Sequence, residues 1–449
     1  MSALDATIVS VAFPTMVSHF KTSLVLSGWI LTVYTLFFIA AIPVASKLSD
    51  SGRRKQTLII CLLLFTVSSA LCAFAPNIWL LTFFRAIQAL GGGGFFSAAA
   101  GMISEQLPDR RQQMIGLLVS IANIGAVVGP NIGGLMVQYW GWESIFLVNV
   151  PIGIADMLLC YYLVNPDSLK KIKLELDYLG IGLIVGFVAT IMVDATLLGS
   201  GFHAAVIAIV LIALLGMSLL VLFVLHCRRS PNAIINRELI FRRPFLAANF
   251  FNFIAGTCTL YGVLSLMPLF STSVYGVSAI ESGVMMTPIS IGIIIGSVVT
   301  SFYIMKWGYR MPIVIGSLGI CLGLALMAVE PGTVHLFGLQ ISPVIAIALI
   351  ALLIGLSFGI VAPPMNNACI DLMPSQAASI AGIRQMAFRI GGIVSISVST
   401  LIVQSNASAA NGFRLVFGGF GLLLLLGITL AFFMPARPIP SSTTSQAPE

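Results

Sequence analysis

Ionisable side chains that interrupt apolar stretches are the residues of this chain that could do chemistry. Asp5 stands in LDATIVSVAFP, Arg85 in RAIQALGGGG and Asp156 in PIGIADMLL. A charged group at the centre of a membrane helix costs about 2.5–3.5 kcal/mol on insertion scales, so a carboxylate there is paired, protonated or facing water. Each of those conditions suits a proton carrier. We therefore predict Asp5, Arg85 and Asp156 as candidates for proton coupling.

Arg85 requires a partner if its stretch is buried, because an unpaired buried guanidinium is unfavourable. A buried carboxylate on the first apolar run, which contains Asp5, would serve as that partner and would be held in its ionised form. Proton binding would then be linked to separation of the pair. Two plainer interpretations stay open: a permanent structural salt bridge, and for Asp5 a helix cap.

Small residues and one proline recur along residues 116–134, GLLVSIANIGAVVGPNIGG. Small residues at helical intervals let two membrane helices approach closely, and a Gly-Pro pair interrupts the backbone hydrogen bonds within a span. The stretch therefore predicts a helix that packs closely against a partner and can bend. The positions that carry the pattern are Gly116, Gly125, Gly129, Pro130, Gly133 and Gly134.

The composition requires a membrane environment for these residues. Over 449 residues the chain is 58% hydrophobic and 8% charged, whereas soluble domains are about 25% charged. A span needs about 20 mostly apolar residues, and hydrocarbon requires backbone groups to be bonded within a helix. The sequence therefore predicts an all-α polytopic membrane protein with fourteen transmembrane helices. The predicted spans are 3–18, 26–46, 57–75, 79–101, 114–137, 144–164, 178–196, 203–226, 246–270, 280–303, 311–329, 341–362, 379–403 and 413–434.

Basic residues fall mainly on one side of these spans, which sets the orientation by the positive-inside rule. With the N-terminus inside, 17 Lys and Arg residues lie at cytoplasmic ends and loops, against Lys21 and Arg414 outside. We expect a multi-pass protein of the cell membrane, inner or plasma, with both termini in the cytoplasm. The net charge of +7 is then topological, and no nucleic-acid partner is predicted. The cytoplasmic group comprises Lys47, Arg53, Arg54, Lys55, Arg110, Arg111, Lys170, Lys171, Lys173, Arg228, Arg229, Arg237, Arg242, Arg243, Lys306, Arg310 and Arg437.

The sequence contains no metal, cofactor or catalytic motif that we recognise. The seven cysteines and four histidines are scattered without the spacing of metal ligands. No HExxH helix, nucleophile elbow or carbonyl-filter motif is present. We therefore expect no metal, no cofactor and no enzymatic activity. A polytopic membrane enzyme and an ion channel are the less favoured alternatives.

Two basic loops divide the chain into parts. Six spans in 1–164 are followed by a linker, 165–244, that carries two inserted transmembrane helices, and then by six spans in 245–434. Transporters of this size are commonly built from two six-helix halves related by an internal repeat. SKLSDSGRRK after the second span and IMKWGYR after the tenth are weak traces of such a repeat. The tail, 435–449, is polar and proline-rich, and we expect it to be disordered.

Several of these segments resemble motifs of the 14-span drug:proton antiporters of the major facilitator superfamily. The pattern of 116–134 matches every fixed position of the antiporter signature of the fifth helix. LDATIVSVAFP is similar to the first-helix motif LDxTIVNVALP, with departures at Ser10 and Phe13. RAIQALGGGG is similar to motif B, RxxQG, with Ala89 in place of the glycine. In RQMAFRIGG the positions that match a family stretch are Arg389, Gly391 and Gly392.

SKLSDSGRRK resembles motif A of the superfamily, GxLaDrxGrk, a charge-paired turn between the second and third helices. The matching residues are Asp50, Gly52, Arg53 and Arg54. Glycine permits the tight turn, and an acid near a helix N-terminus is favoured by the helix dipole. The resemblance therefore implies a cytoplasmic latch that closes in one state. The sequence departs at Ser46, and one residue instead of two separates the acid from the glycine; a basic loop without a gating role is the alternative.

The resemblance implies the major facilitator fold, two six-helix bundles plus the two inserted helices, working by alternating access. It implies a proton-coupled antiporter that exports small amphipathic compounds, cationic ones included, as in multidrug efflux. The partners would be the small-molecule substrate, protons and the lipid bilayer, with accessory export proteins as a further class. A dedicated exporter or importer of one metabolite or organic ion stays open as the alternative.

A substrate cavity would draw on polar and aromatic side chains within the spans. A carboxylate in an apolar cavity would favour cationic cargo by charge pairing, and aromatic rings accept varied apolar shapes. Lipid contact or helix packing is the alternative for the aromatic candidates. For Asp194 the alternative is solvation at an interface, and for Arg389 it is a role in closing the helix bundle. Arg384, nearer the cytoplasmic end of its span, is expected to snorkel to the surface. The cavity candidates are Trp29, Tyr34, Gln88, Asp194 and Arg389.

Overall fold

Long helices make up nearly all of the described chain in the computed structural model. The structure describes residues 1–22, 24–167, 176–199, 206–230, 233–235, 242–259, 266–267, 270–271, 273–276, 285, 287–329, 334–336, 339–372, 376–406 and 408–437. In chain order the helices are α1 Ser2–His19, α2 Leu24–Asp50, α3 Arg54–Ala73, α4 Ile78–Gln106, α5 Arg111–Trp140, α6 Ser144–Leu147, α7 Asn149–Leu163, α8 Tyr178–Gly199, α9 Val206–Arg229, α10 Arg243–Cys258, α11 Thr287–Trp307, α12 Arg310–Ala328, α13 Pro343–Ile370, α14 Ala377–Ser405 and α15 Ala409–Gly427. Two 3₁₀ turns, Pro108–Arg110 and Ile428–Phe433, precede α5 and extend α15.

Each of the fourteen predicted spans corresponds to a helical segment. The short α6 and α7 together form the sixth, and α15 with its 3₁₀ turn forms the fourteenth. Among the described residues, ten of these segments are long and apolar enough to cross a membrane, and the others are α1, α5, α8 and α10. The prediction of an all-α polytopic membrane protein is confirmed. One antiparallel hairpin, β1 Val334–Leu336 with β2 Leu339–Ile341, precedes α13 where no strand was predicted.

Consecutive glycines let α4 lie directly against α2 and α3 in the first bundle. A Cβ at Gly91 would come within 2.5 Å of the Cys61 carbonyl oxygen on α3, and one at Gly93 would overlap the Phe38 carbonyl oxygen on α2. Small residues of this kind allow helix backbones to pack closely in a membrane, where no hydrophobic effect draws helices together. Around this centre, α1 packs on α5 and α3 packs on α7.

The second bundle uses the same kind of close contact between α11 and α13. A Cβ at Gly292 of α11 would come within 2.5 Å of the Leu356 nitrogen, and one at Gly355 of α13 would overlap the Ile289 carbonyl oxygen. α10 packs on α14, and α12 packs on α13 and α15. The two bundles meet where α5 contacts α11 and α13, and where α14 contacts α2 and α4. These contacts form the seam between the bundles.

The inserted helices α8 and α9 lie beside this seam. They pack on each other, and α8 also contacts α2 of the first bundle and α14 of the second. Ile184 and Val188 of α8 share one buried apolar cluster with Phe38 of α2 and Ile390 of α14. The inserted pair therefore contacts both bundles along one side of the molecule.

Described basic residues at the ends of the helices lie together at one end of the molecule, which we call the basic end. Lys55 at the start of α3 donates to the Val164 carbonyl oxygen after α7 at 2.7 Å. Arg310 at the start of α12 donates to the Phe432 carbonyl oxygen, beyond α15, at 2.9 Å. Contacts between helix ends that are far apart in the chain thus assemble this face, as the alternating direction of the spans predicts.

Candidate functional site

A fully buried ion pair joins α1 to α4. Arg85 Nη1 donates to Asp5 Oδ2 at 2.7 Å, and both side chains are 0% exposed. The Arg85 guanidinium lies over the Tyr34 ring of α2, 3.8 Å from its centroid, where the face of the ring attracts a cation. The structure thus shows the predicted pairing of Asp5 with Arg85 and adds Tyr34, which was predicted separately as a cavity residue.

Side-chain amides occupy the second oxygen of the Asp5 carboxylate. Gln88 Nε2 donates to Asp5 Oδ1 at 3.1 Å, and Asn149 Nδ2 of α7 donates to the same oxygen at 3.0 Å. The Gln88 amide also donates to Ser69 Oγ of α3 and accepts a bond from Arg85. We call Asp5, Ser69, Arg85, Gln88 and Asn149 the Asp5 network. Because its members come from α1, α3, α4 and α7, the network ties four helices of the first bundle to one carboxylate.

Asn149 and Ser69 were not among the predicted site residues. Asn149 stands in LVNVP of the sixth span, and Ser69 stands in VSSA of the third. A polar side chain within a span is the signal that could have found them, because a membrane interior disfavours such groups unless they have partners. Many other polar residues carry the same signal, and their partners become visible only in the folded bundle.

Asp5 lies deep in the first bundle although it is close to the start of α1. Its partner Arg85 lies 21 residues from Gln106, the residue that ends α4 at the basic end, or about 31 Å along the helix. Tyr34, over the same guanidinium, lies 16 residues from Asp50 at the basic end of α2, or about 24 Å along that helix. The ion pair is therefore far from the basic end.

Glycines of α5 pack against α1, the helix that carries Asp5. A Cβ at Gly129 would overlap Thr7 Oγ1, and one at Gly133 would lie 3.2 Å from the Ile8 Cα. A Cβ at Gly134, by contrast, would meet no atom within 4 Å. The glycine pattern therefore has one face in tight contact with α1 and one position with open space beside it.

Other positions of the same pattern have different surroundings. Near the basic end, a Cβ at Gly116 would come within 2.5 Å of Ser301 Oγ on α11 of the second bundle. A Cβ at Gly125 would lie 3.5 Å from the Leu4 nitrogen, an ordinary contact. α5 is helical through Pro130, whose side chain lies outside the described part of the structure. One helix thus touches α1 over its middle and the second bundle near its start.

Asp50 joins the two bundles at the basic end. Its carboxylate accepts hydrogen bonds from the backbone nitrogens of Ala378, at 3.3 Å, and Ser379, at 2.8 Å. These N–H groups belong to the first turn of α14, which has no partner for them within the helix, and the helix dipole favours an acid there. The neighbouring Gly52 has a φ of 85°, a conformation that favours glycine.

The basic residues of the same turn bond within the first bundle. Arg54 Nη1 lies 2.8 Å from Glu105 Oε2 and also donates to the Gly101 carbonyl oxygen, both on α4. Arg53 precedes the first turn of α3 as its N-cap residue. Among the described residues, Asp50 is thus the member of the predicted latch that bonds across the seam.

A second group of contacts crosses the seam at the basic end. Arg111, the first residue of α5, forms an ion pair with Asp371 after α13, and the Tyr309 hydroxyl donates to the other oxygen of Asp371. Asn367 Nδ2 donates to the Gln112 carbonyl oxygen at 3.0 Å. Burial, with the Asp371 carboxylate beside it, raises the pKa of Tyr309 far above its usual value, so this hydroxyl stays a donor at neutral pH. None of these residues was predicted to have a gating role.

Asp156, Asp194 and Trp29 lie apart from the Asp5 network. Asp156 of α7 lines a cavity of about 310 Å³ with the first residues of α1 and with Phe96 of α4. Asp194 is half-buried on α8, and Trp29 on α2 is 40% exposed. The structure therefore distributes these three predicted site residues over different parts of the molecule.

Two arginines of α14 face aromatic rings of the first bundle. The Arg389 guanidinium lies 3.7 Å from the centroid of the Phe38 ring on α2, and the Arg384 guanidinium lies 5.3 Å from that of Phe96 on α4. Arg384 also donates to Asn252 Oδ1 of α10 at 3.2 Å. The prediction that Arg384 snorkels to the surface is wrong. Its side chain is enclosed between α10 and the first bundle, and the residue is 6% exposed.

Bacterial proteins named as multidrug transporters or resistance proteins are similar to this chain over most of its length. Multidrug transporter protein MdtP of Bacillus subtilis (strain 168) is 29% identical over an alignment of 414 residues that covers 90% of this chain and 73% of that protein. Methylenomycin A resistance protein of Streptomyces coelicolor (strain ATCC BAA-471 / A3(2) / M145) is 27% identical over an alignment of 461 residues, gaps included, that covers 100% of this chain and 92% of that protein. Such relatives indicate a transporter rather than an enzyme.

Solved structures share the arrangement of the helices. The human organic anion transporter MFSD10 (TETRAN) superposes with a TM-score of 0.67 at 14% identity, over 96% of each chain. The proton:xylose symporter XylE superposes with a TM-score of 0.65 at 15% identity, over 99% of this chain and 96% of that one. At such identities these structures establish the fold alone. The family model described as Major Facilitator Superfamily matches residues 1–396, and with the helices and their packing it shows that this multi-pass membrane protein belongs to the major facilitator superfamily.

Proposed function

We propose that this protein is a proton-coupled antiporter that exports small amphipathic compounds by alternating access. The buried pair of Asp5 and Arg85, with both side chains 0% exposed, is the observation that carries the proposal. Coupling requires an acid within the membrane whose charge one proton can remove, and intramembrane acids are typical of proton pathways in transporters. The relatives named as multidrug transporters and resistance proteins support drugs as the cargo.

Protonation of Asp5 removes the charge that holds Arg85. The guanidinium is then left in a buried site without a counter-charge, which is strongly unfavourable. The protonated state is therefore driven to move α1 relative to α4, or to admit water to Arg85. Release of the proton restores the ion pair, so proton binding and the position of α1 are linked.

Movement of α1 is passed to the seam by α5. Gly129 packs against α1 without space for a larger side chain, and Gly133 lies in tight contact with Ile8, so a displacement of α1 displaces the middle of α5. At its basic end the same helix contacts α11 at Gly116 and carries Arg111, which is paired with Asp371. One helix thereby connects the Asp5 network with the contacts that hold the two bundles together.

The seam is closed at the basic end by Asp50 and Arg111. Following the positive-inside rule, we propose that this end is cytoplasmic, that the segment after α15 lies there, and that the membrane is the cell membrane. In this state the cytoplasmic entrance is shut. Alternating access then requires Asp50 to leave α14 and Arg111 to leave Asp371 before cargo can enter from the cytoplasm.

Dedicated export of one compound is the second candidate function. It is favoured by the Streptomyces coelicolor relative, which is named for resistance to methylenomycin A and matches 100% of this chain. Under either proposal the partners are a small molecule, protons and the lipid bilayer. Accessory export proteins stay a prediction from the family resemblance.

Proton movement in proteoliposomes tests the proposal. A panel of amphipathic drugs is added to vesicles that contain the purified protein, and we expect at least one compound to drive proton flux with wild type. Asp5→Asn is expected to abolish that coupled flux, because an amide cannot take up the proton. Asp109→Asn changes an exposed carboxylate before α5 and is the matched control that should keep the wild-type flux. Coupled flux retained by Asp5→Asn would remove Asp5 from the mechanism, and no flux with wild type for any compound would contradict proton-coupled antiport.

A further inference from the structure

Arg384 and Arg389 of α14 are cations without a carboxylate partner in the described part of the chain. Arg384 is 6% exposed, and its Nε atom is buried without a hydrogen-bond partner. Asp371, the acid that the structure describes within 245–434, is bonded instead to Arg111. The second bundle therefore presents two positive charges at the seam that no described acid of that bundle neutralises.

Such an arrangement is unfavourable for stability alone. Buried charges in proteins are paired or bind a ligand, and within a membrane an ionisable residue is a functional candidate by default. The contacts of the two guanidinium groups with the rings of Phe38 and Phe96 attract a cation more weakly than a carboxylate does. Guanidinium groups kept at this position therefore point to a negative charge that arrives from elsewhere.

The two arginines lie where cargo would pass between the bundles. Arg389 is 12 residues from Ala377, the start of α14 at the basic end, or about 18 Å along the helix. Its ring partner Phe38 is 12 residues from Asp50, at the same depth on α2. The rings belong to the first bundle and the guanidinium groups to the second, so separation of the bundles at the basic end removes the rings and exposes both charges to the space between them.

We infer that Arg384 and Arg389 form a subsite for the anionic group of the cargo, which makes amphipathic organic anions, carboxylates above all, the preferred cargo class. The inference rests on the proposed function in one respect, that cargo enters between the bundles. A planar guanidinium binds a carboxylate with two parallel hydrogen bonds, which gives both affinity and orientation. Asp5 of the first bundle is already neutralised by Arg85 and offers no free charge to a cation.

Binding of three matched probes to the purified full-length protein in detergent tests this inference. The probes share one naphthalene ring and differ in charge: 2-naphthoate, 2-naphthamide and 2-naphthylmethylammonium. By equilibrium dialysis, we expect wild type to bind 2-naphthoate about tenfold more tightly than the amide, the effect of one charge-assisted contact. Arg384→Gln and Arg389→Gln are each expected to bring that ratio close to one while leaving the affinity for the amide unchanged. Arg384→Lys should keep part of the preference, and Arg414→Gln, at an exposed position on α15, should keep all of it.

The outcomes separate this inference from the proposed function. Size-exclusion chromatography checks folding, and if Arg384→Gln does not fold, Arg389→Gln and Arg384→Lys decide the result. A ratio unchanged in the glutamine variants, no preference of wild type for 2-naphthoate, or tighter binding of the ammonium probe would each overturn the inference. Because dialysis uses no proton gradient, failure of proton coupling leaves this result unaffected. Coupled export of a cationic drug by a protein without carboxylate preference would overturn the inference and leave the proposed function standing.

Discussion

Asp5 and Arg85 are each unfavourable in the interior of the bundle, and each makes the other tolerable. Their bond of 2.7 Å, with both side chains 0% exposed, recovers part of the free energy lost when two charges leave water. Replacing both members of such a pair by apolar groups is often neutral, whereas removing one member leaves an uncompensated charge. The pair therefore contributes little to stability but is suited to proton coupling, because a single proton on Asp5 removes the negative charge that neutralises Arg85.

Single and double replacement of the pair should differ in stability. Arg85→Met is expected to lower the free energy of unfolding by about 3–5 kcal/mol, because it leaves the buried Asp5 carboxylate without a counter-charge. Asp5→Asn combined with Arg85→Met should recover most of that loss. Thermal unfolding in detergent measures both, with Arg414→Met as a control for the loss of an exposed arginine. A double variant as unstable as Arg85→Met alone would show that the charges do not compensate each other.

Single residues of the Asp5 network differ in how far the sequence could predict them. Asp5, Arg85 and Gln88 can be recognised from the sequence alone, because they are charged or polar groups within apolar runs and a membrane disfavours such groups. Their depth and their contact with Asn149 depend on which turn of α4 meets α1 and α7, which periodicity does not encode. The prediction for Arg384 was wrong for a related reason. It used the distance of Arg384 from the helix end, whereas the helices that surround this residue decide whether its side chain reaches the surface.

α5 is the element that connects the predicted parts of the mechanism. Its middle lies against α1, and its start contacts α11 and carries Arg111 at the seam. The small residues that allow the first contact also remove side chains that would otherwise anchor the helix. The glycine pattern thus serves close packing on α1, while the bending that Pro130 suggests stays a prediction.

Two glycines of α5 allow a matched test of this packing. Gly129→Val places its side chain on Thr7 of α1, whereas Gly134→Val enters space with no atom within 4 Å of the new Cβ. Both changes have the same helix propensity cost, so their difference reports packing. We expect Gly129→Val to lower the free energy of unfolding by about 1–3 kcal/mol more than Gly134→Val, and to reduce coupled proton flux as α1 is displaced. Equal effects of the two variants on unfolding and flux would argue against a role for the α1–α5 contact.

Helix ends were predicted less well than helices. The twelfth predicted span ends at 362, yet α13 continues through Pro363 and Pro364 to Ile370. The two prolines remove the donors that would bond the Gly359 and Ile360 carbonyl oxygens, and such prolines are tolerated within membrane helices where other groups satisfy the backbone. Hydropathy locates the apolar length of a span, but how far a helix continues beyond two prolines depends on contacts of the folded chain.

Considered as a whole, the molecule has two bundles held together at the basic end while the Asp5 network stays intact in the first. The hydrogen bonds from the first turn of α14 to Asp50 and the ion pair of Arg111 with Asp371 both cross the seam. In the same closed arrangement, aromatic rings of the first bundle cover Arg384 and Arg389. Opening of the basic end would break the two polar contacts and release the two arginines together. The overall fold could be predicted from span count and family motifs, whereas the state of the seam could not, because it depends on contacts between residues up to 329 positions apart.

Weakening the Asp50 contact should open the basic end measurably. Ala378 is 0% exposed and its backbone nitrogen bonds to Asp50, so Ala378→Cys provides a thiol that a maleimide reaches only when the seam opens. Adding Asp50→Asn is expected to raise the labelling rate about tenfold, since a neutral amide binds the first turn of α14 more weakly than a carboxylate and the closed population falls.

Glu105→Gln is the matched control, because this acid lies at the same end but pairs with Arg54 inside the first bundle, and it should leave the rate unchanged. The native cysteines are buried or half-buried, and the protein without Ala378→Cys gives their background. Labelling no faster with Asp50→Asn than with Glu105→Gln would mean that Asp50 does not hold the seam, and that closure depends on Arg111 and Asp371 instead.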